Sequence, residues 1–317
     1  MTFEQLRLRH PKLIYKHFTI ARENNAIVIS YEFFLEPDLT FHSIITIPYP
    51  LTSEVSRGRN TTSEVEAFIA PYAFNLGLVE AMSYWKLAAP KEFVIEAGTL
   101  DAEQIRFWYD LFIHGLGEFY YQNQIDFTKQ DFLRIRSVSL SPPLPTANYQ
   151  PPSSGDLVLV GGGKDSAVTL GMMAASDKTI QTMVLNPTQA VLDNISAAGY
   201  PAPLVIRRVI DPKLMELNRS GYLNGHTPFS AYLAFLGVLV AALYGNENVI
   251  VSNEKSADEG NVSYHGMEVN HQYSKSFRFE TMFREYISIP GINAPQFRES
   301  VPNYFSILRP LNDLQIG

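Results

Sequence analysis

Apolar and polar positions divide the chain into two differently patterned parts. In the first, Ile27, Ile29, Tyr31 and Phe33 alternate with Ser30 and Glu32, the period-two signature of a half-buried strand. A second apolar run over 41–47 follows Glu36-Pro37-Asp38, and the pair predicts a hairpin. Ser63 and Glu66 stand at capping-box spacing for a helix interrupted near Pro71 and resuming towards Tyr84-Trp85-Lys86. Asp101 caps a further helix, whose Ile105, Tyr109, Phe112, Leu116 and Phe119 recur at helical spacing and read as core. Gly115 and Gly117 break that pattern at a cost of about 1 kcal/mol each relative to alanine. They either permit close packing or shape a ligand wall.

The second part alternates strand and helix. Leu157-Val158-Leu159-Val160 reads as a buried parallel strand, Gly161-Gly162-Gly163 as a tight loop, and Asp165-Ser166 as the start of a helix through Ala167, Val168, Leu170 and Met172. Strands over 179–185, 203–210 and 249–251 follow, with a helix around 189–198 between the first two. Thr227 caps a helix over 229–244, with Pro228 at its first position and Gly245 at its end. That helix is apolar nearly all round. A membrane span is the competing reading, but sixteen residues without basic flanks fall short of the roughly 20 a bilayer needs. Between the two parts, residues 141–155 carry five prolines and form a linker. The predicted organisation is a unit over 1–140, a linker over 141–155 and a second unit over 156–317.

Composition narrows the classes. The 317 residues are 46% apolar and 18% charged, the balance of a globular protein long enough for two cores. A net charge of −7 argues against nonspecific nucleic-acid binding, so a phosphorylated ligand must find local positive charge. With no cysteine, disulfides and thiolate metal sites are excluded within these residues. The N-terminus lacks the basic and apolar blocks of a signal peptide, which makes the cytoplasm the expected compartment.

The glycine loop is built to hold an anion. Backbone N–H groups of the loop and of the following helix turn converge on one point, the helix dipole adds partial positive charge, and glycine lets phosphate oxygens approach. The spacing is not that of a Walker A loop, because position 158 is valine and Lys164 is followed by Asp165. Nor is it a dinucleotide fingerprint, which requires glycine where Ser166 stands. Gly161-Gly162-Gly163-Lys164-Asp165-Ser166 instead resembles the PP-loop of the ATP pyrophosphatases, Ser-Gly-Gly-x-Asp-Ser, with Gly161 in place of the first serine.

Further polar clusters follow the apolar strands. Ser252-Asn253-Glu254-Lys255-Ser256 sits at the carboxyl end of the 249–251 strand, where ligands of doubly wound sheets bind. The stretch 268–276 holds Glu268, Asn270, His271, Gln272 and Lys275, with His271 and Lys275 as candidate proton carriers, although a solvated helix start is also polar. In Asn224-Gly225-His226, the histidine lies just before a helix N-terminus, which favours a neutral imidazole; a histidine satisfied by local backbone is the alternative.

Taken together, the glycine loop, Asn224-Gly225-His226, Ser252 to Ala257, Glu268 to Gln272 with Ser274-Lys275, Ser83-Tyr84-Trp85-Lys86 and His114 to Phe119 resemble the MurL family of UDP-N-acetylmuramoyl-L-alanyl-L-glutamate epimerases, over nearly the whole chain. The resemblance implies an α/β fold: a parallel doubly wound, HUP-like PP-loop domain preceded by a smaller α+β domain of possible substrate recognition. It also implies ATP and Mg²⁺ as cofactors, with the terminal L-Glu of UDP-MurNAc-L-Ala-L-Glu inverted to D-Glu during peptidoglycan synthesis and AMP and pyrophosphate released. Gly161, Gly162, Gly163, Lys164, Asp165 and Ser166 are the expected ATP site, and Asp165 the metal ligand. His271 and Lys275, with His226 and Glu254 as alternates, are the expected acid–base groups. Asn224, Asn253, Ser256, Glu268, Asn270 and Gln272 are expected to meet the substrate, with no nucleic acid or membrane as partner. The resemblance further implies a chain running past residues 308–311 into a cysteine-bearing segment, and a site completed by that segment is incomplete within 1–317. Other PP-loop chemistry, an adenylating ligase acting on a different carboxylate or nucleoside, and a non-catalytic ATP-binding module remain alternatives.

Overall fold

The computed structural model describes residues 1–49, 62–138, 155–176 and 178–288, together with the backbone of a strand at Asn303–Ser306. Helix α1 (Phe3–Arg9) is held by a capping box between Thr2 and Gln5 and leads into strands β1 (Lys12–Glu23), β2 (Ala26–Leu35) and β3 (Leu39–Pro48). These form an antiparallel meander in which Leu35 pairs with Leu39 across the predicted hairpin, and Ile27, Ile29, Tyr31 and Phe33 are all buried.

Helix α2 (Thr62–Trp85) runs through Pro71, where the sequence predicts an interruption. Interior proline costs a helix about 3 kcal/mol, but the residues beyond it, from Tyr72 through Trp85, are almost all buried, and their packing outweighs the local break. Strand β4 (Glu92–Ile95), helices α3 (Ala102–Gly115) and α4 (Gly117–Gln122), and strand β5 (Arg134–Ser137) complete the first half. Asp101 caps α3 as expected, its side chain accepting from the N–H groups of Glu103 and Gln104. Tyr109, expected in the core, is exposed. The glycine pair serves close packing: a Cβ at Gly115 would lie 3.1 Å from Pro228, and one at Gly117 would lie 3.2 Å from Val269.

The second half follows the predicted alternation: β6 (Asp156–Leu159), α5 (Lys164–Ala174), β7 (Ile180–Leu185), α6 (Gln189–Ala197), β8 (Leu204–Val209), α7 (Lys213–Arg219), α8 (Phe229–Tyr244) and β9 (Asn248–Val251). A small hairpin, β10 (Val262–Tyr264) with β11 (Met267–Val269), precedes α9 (Phe277–Ile287) and β12 (Asn303–Ser306). Pro228 rather than Thr227 occupies the cap position of α8, without a side-chain bond to the first turn, and Gly245 ends the helix in the left-handed region at φ 76°. Among the described residues no helix is long and apolar enough to cross a membrane. Helix α8 is apolar all round because it is buried in protein.

Ten strands form one mostly parallel sheet in the order β12-β9-β6-β7-β8-β3-β2-β1-β4-β5. The first five are mutually parallel. Their arrangement is that of a doubly wound α/β sheet, with the strand order reversing between β6 and β9. Alternate side chains of β6 serve different layers: Leu157 and Leu159 join a large core with α8, whereas Val158 and Val160 join a smaller one with Leu170 and Met173 of α5 and Ile195 of α6. Strand β8 pairs antiparallel with β3 through Ile45 and Arg208, so the sheet continues unbroken from the second half into the first. The large core crosses the same line: Trp108 of α3 packs on Phe235 of α8 and donates to the Tyr286 hydroxyl of α9 at 2.7 Å. The predicted linker over 141–155 lies, apart from Gly155, outside the described residues.

Candidate functional site

The loop after β6 stands beside the point where the strand order reverses. Gly161 N–H donates to Ser166 Oγ at 3.0 Å, closing the loop onto the first turn of α5. Gly162 lies at φ 82°, and a Cβ there would come within 2.5 Å of Val191, so the fold itself requires glycine. Gly163 is different. It caps α5 in an extended conformation at φ −84°, gives the first turn no side-chain partner, and a Cβ built on it would meet nothing. Internal packing therefore accepts any small residue at 163, and the bare backbone leaves room in front of the N–H groups of α5.

That room is the floor of a cavity of about 390 Å³, lined by Gly161, Gly163, Asp165 and Ser166 of the loop, by Ser252 and Asn253 beyond β9, and by Lys275. Its apolar wall comes from the ends of β6 and β7 and the first turns of α8, including Met183, Leu185, Phe229 and Leu233. Such a size falls in the range of roughly 300–1,000 Å³ common to small-molecule sites. Asn253 is buried, and Ser252 is fixed from below by Thr169, whose hydroxyl donates to it at 2.9 Å.

A second polar group gathers just before α8. Lys86, which follows α2 and is 8% exposed, donates through Nζ to the Gly225 carbonyl. The Leu223 N–H donates to Leu87 O at 3.1 Å, and Asn123 Nδ2 to Asn224 O at 2.9 Å, so the 223–225 loop is held from both sides. His226 Nδ1 faces Glu118 Oε2 at 3.5 Å, and Gln122 donates to the other oxygen of Glu118 at 2.8 Å. Burial pushes the Lys86 ammonium down to about 8, and the nearby Arg208 pushes the same way. Burial also lowers the His226 imidazole, opposed by Glu118 and reinforced by Lys86 and His271.

The family described as the MurL N-terminal domain matches residues 5–306. The chain belongs to the MurL family. It is 32% identical over 301 residues to the UDP-N-acetyl-alpha-D-muramoyl-L-alanyl-L-glutamate epimerase of Xanthomonas oryzae pv. oryzae (strain MAFF 311018), a match covering 93% of this chain and 61% of that protein. Identity is 32% to the protein of the same name from Salinispora tropica, over 87% of this chain and 56% of the relative. For the one from Micromonospora sp. (strain ATCC 39149 / NRRL 15099 / SCC 1413) it is 31%, over 87% and 58%. The chain thus spans 56–61% of the length of these curated relatives. No solved structure matches it.

Within this MurL-family fold the residues expected from sequence divide into groups. Gly161, Gly163, Asp165, Ser166, Asn253 and Lys275 meet at one cavity. Lys164 is exposed at the first position of α5, and Glu254 and Ser256 belong to the turn beyond Asn253. Asn270 acts as a brace, donating to Ala257 O at 2.8 Å and accepting from the Gln272 N–H at 2.7 Å. His271 is exposed, bonds through Nδ1 to Asn261, and stands near enough to His226 to depress it. Glu268 lies on β11 against Gly260. Among the described residues no group of three acidic, histidine or cysteine side chains is placed to hold a metal. A single carboxylate such as Asp165 suffices only for an ion that takes its remaining ligands from phosphates and water. Sequence reasoning gave no role to Lys86, Glu118 or Arg208. Lys86 and Glu118 stand within segments that carry the family resemblance, but only the fold brings them beside His226 and sets Arg208 against Lys86.

Proposed function

We propose that this chain forms the nucleotide-binding part of an ATP-dependent epimerase that inverts the terminal L-Glu of UDP-MurNAc-L-Ala-L-Glu to D-Glu in peptidoglycan precursor synthesis, contributing to cell-wall biogenesis and cell shape. The observation that carries this reading is the side-chain-free floor at Gly163, open to a cavity at the strand-order reversal, in a chain of the MurL family.

The chemistry explains why a nucleotide is needed. Removing the α proton beside an ionised carboxylate places a second negative charge next to the first, beyond the reach of a side-chain base at neutral pH. Adenylation of that carboxylate, with release of pyrophosphate, leaves a neutral acyl carbonyl that accepts the charge as an enolate. Donors already aimed at this oxygen stabilise it by several kcal/mol. Hydrolysis of the acyl-adenylate then frees the D product and AMP, and makes a nearly thermoneutral inversion one-way.

In this reading the N–H groups of Gly162 and Gly163, with Lys164 and Ser166, hold the β and γ phosphates in PP-loop fashion. Ser166 Oγ accepts from Gly161, which leaves its own O–H to donate to a phosphate oxygen. The apolar wall of Met183, Leu185 and Leu233 suits a planar base. Asp165 helps to hold Mg²⁺, which supplies neutralisation of the phosphate charge when bound. Asn253 and Lys275 reach the same cavity, where they would meet the carboxylate as it is activated. ATP and a UDP-linked precursor are cytoplasmic metabolites, which supports a cytoplasmic reaction.

The test is to incubate the full protein with UDP-MurNAc-L-Ala-L-Glu, ATP and Mg²⁺ in D₂O. AMP release together with deuterium at the glutamate α carbon is expected. AMP without deuterium indicates a ligase, and no AMP a binding module; either result refutes the proposal.

A further inference from the structure

Resting on the epimerase reading, we infer that Lys86 and His226 are the two groups that carry the glutamate α proton, His226 as the base and Lys86 as the acid. Their placement is the first argument. Lys86 Nζ is tied to the carbonyl of Gly225, the residue before His226, and the Leu223–Leu87 backbone bond fixes the two segments against each other. His226 is three residues from Phe229, which together with Ser230 forms part of the cavity wall. Neither residue lines that cavity, and the pair is joined to its wall through the short segment 226–229. In this proposal the activated end of the substrate extends from the cavity towards the pair.

Charge is the second argument. Lys86 is buried, yet among the described residues no carboxylate pairs with it. The cation facing it from β8, Arg208, is already bound to Glu80 at 2.9 Å and to Ser83 at 3.2 Å. A buried ammonium left with a carbonyl and a neighbouring guanidinium is costly unless an anion or a proton acceptor joins it. His226 faces Glu118 from α4, Lys86 from the end of α2 and His271 from the loop after β11. With Nδ1 turned to the Glu118 carboxylate, the proton is favoured on that nitrogen, and Nε2 keeps its lone pair for the substrate.

Inversion through two bases needs one group deprotonated and its partner protonated in the resting enzyme. Near neutral pH this pair meets that need, because burial keeps the imidazole neutral while an ammonium held down at about 8 remains charged. In the forward step His226 Nε2 takes the α proton, and the C–H electron pair moves to the acyl oxygen as an enolate. Lys86 then delivers a proton to the opposite face of the carbon as the enolate collapses. The imidazolium and the neutral amine are reset by exchange with water.

The experiment follows both variants in D₂O with UDP-MurNAc-L-Ala-L-Glu, ATP and Mg²⁺, recording AMP, inversion and deuterium separately. K86Q is expected to lose inversion on the order of 100-fold or more, while deuterium still enters substrate of retained L configuration. H226Q is expected to lose inversion and deuterium together. In wild type the rate should fall below pH 6.5, as the imidazole protonates, and again as pH rises through about 8, where the ammonium is lost. Inversion at wild-type rate in either variant overturns the inference. So does a raised KM with unchanged kcat, the sign of a mere carboxylate anchor, and so does loss of AMP together with inversion. His226 is half-buried at a loop, so H226Q keeps the test valid should K86Q fold poorly. A wild-type protein that does not invert its substrate overturns the epimerase reading and this inference with it. Inversion that neither substitution affects overturns the inference alone.

Discussion

Gly162 and Gly163 are adjacent and chemically identical, yet the structure asks for glycine at only one of them. At Gly162 the left-handed backbone and the side chain of Val191 both oppose a Cβ. Gly162→Ala is expected to lower stability by about 1–3 kcal/mol in urea denaturation. At Gly163 neither constraint exists. Gly163→Ala should cost about 1 kcal/mol or less, the difference between glycine and alanine at a helix cap, while weakening ATP binding measurably by calorimetry, because the new methyl group stands where the phosphates are proposed to lie. Unchanged ATP affinity would remove this loop from the site. The triplet was legible as a tight loop between strand and helix, but which glycine the fold itself requires was not, since that depends on Val191 packing from another helix. Lys86 was legible as part of Ser83-Tyr84-Trp85-Lys86, one of the segments behind the family resemblance, but its burial was not, since that depends on Gly225 and Arg208 meeting it across the fold.

Elements with a long or sharply bounded apolar repeat were read correctly, whereas short ones such as β4, β5 and α7 carry too few residues to show a period. Strands β2 and β6 to β9 carry clean alternation or short apolar runs bounded by turn residues. Strand β1 was missed because its register shifts between Tyr15 and His17, so its inward positions change parity midway. Helix α2 was expected to break at Pro71, and the burial of its second half overrides that signal. The same half carries Glu80, fully buried, which accepts from Arg208 Nε of β8 at 2.9 Å and ties the helix to the strand. Glu80→Ala leaves the Arg208 guanidinium buried without its carboxylate, and should cost about 3–5 kcal/mol as read by the midpoint of chemical denaturation. A loss under about 1 kcal/mol would mean that the pair behaves as a surface ion pair.

The whole molecule is bound together by the pairing of β3 with β8 and by a core to which helices of both halves contribute. The proline-rich stretch predicts a boundary between two units, and the pairing of β3 with β8 is a long-range contact that composition does not register. With the sheet continuous, urea unfolding of residues 1–317 should give one transition, coincident by far-ultraviolet circular dichroism and by fluorescence of Trp85 and Trp108, both buried in the large core. Two resolved transitions would show that the halves fold separately despite the shared sheet. At this scale the rim of strand ends matters most, since it sets the glycine loop and Asn253, together with Lys275, around one cavity. The most direct test of the account is a crystal structure of the protein with Mg²⁺ and an ATP analogue whose α–β bridge is a methylene group. Its outer phosphates should lie within hydrogen-bond distance of the Gly162, Gly163 and Ser166 N–H groups, with the base against Met183 and Leu233. A cavity left empty at saturating analogue, or phosphates bound elsewhere, would contradict the account.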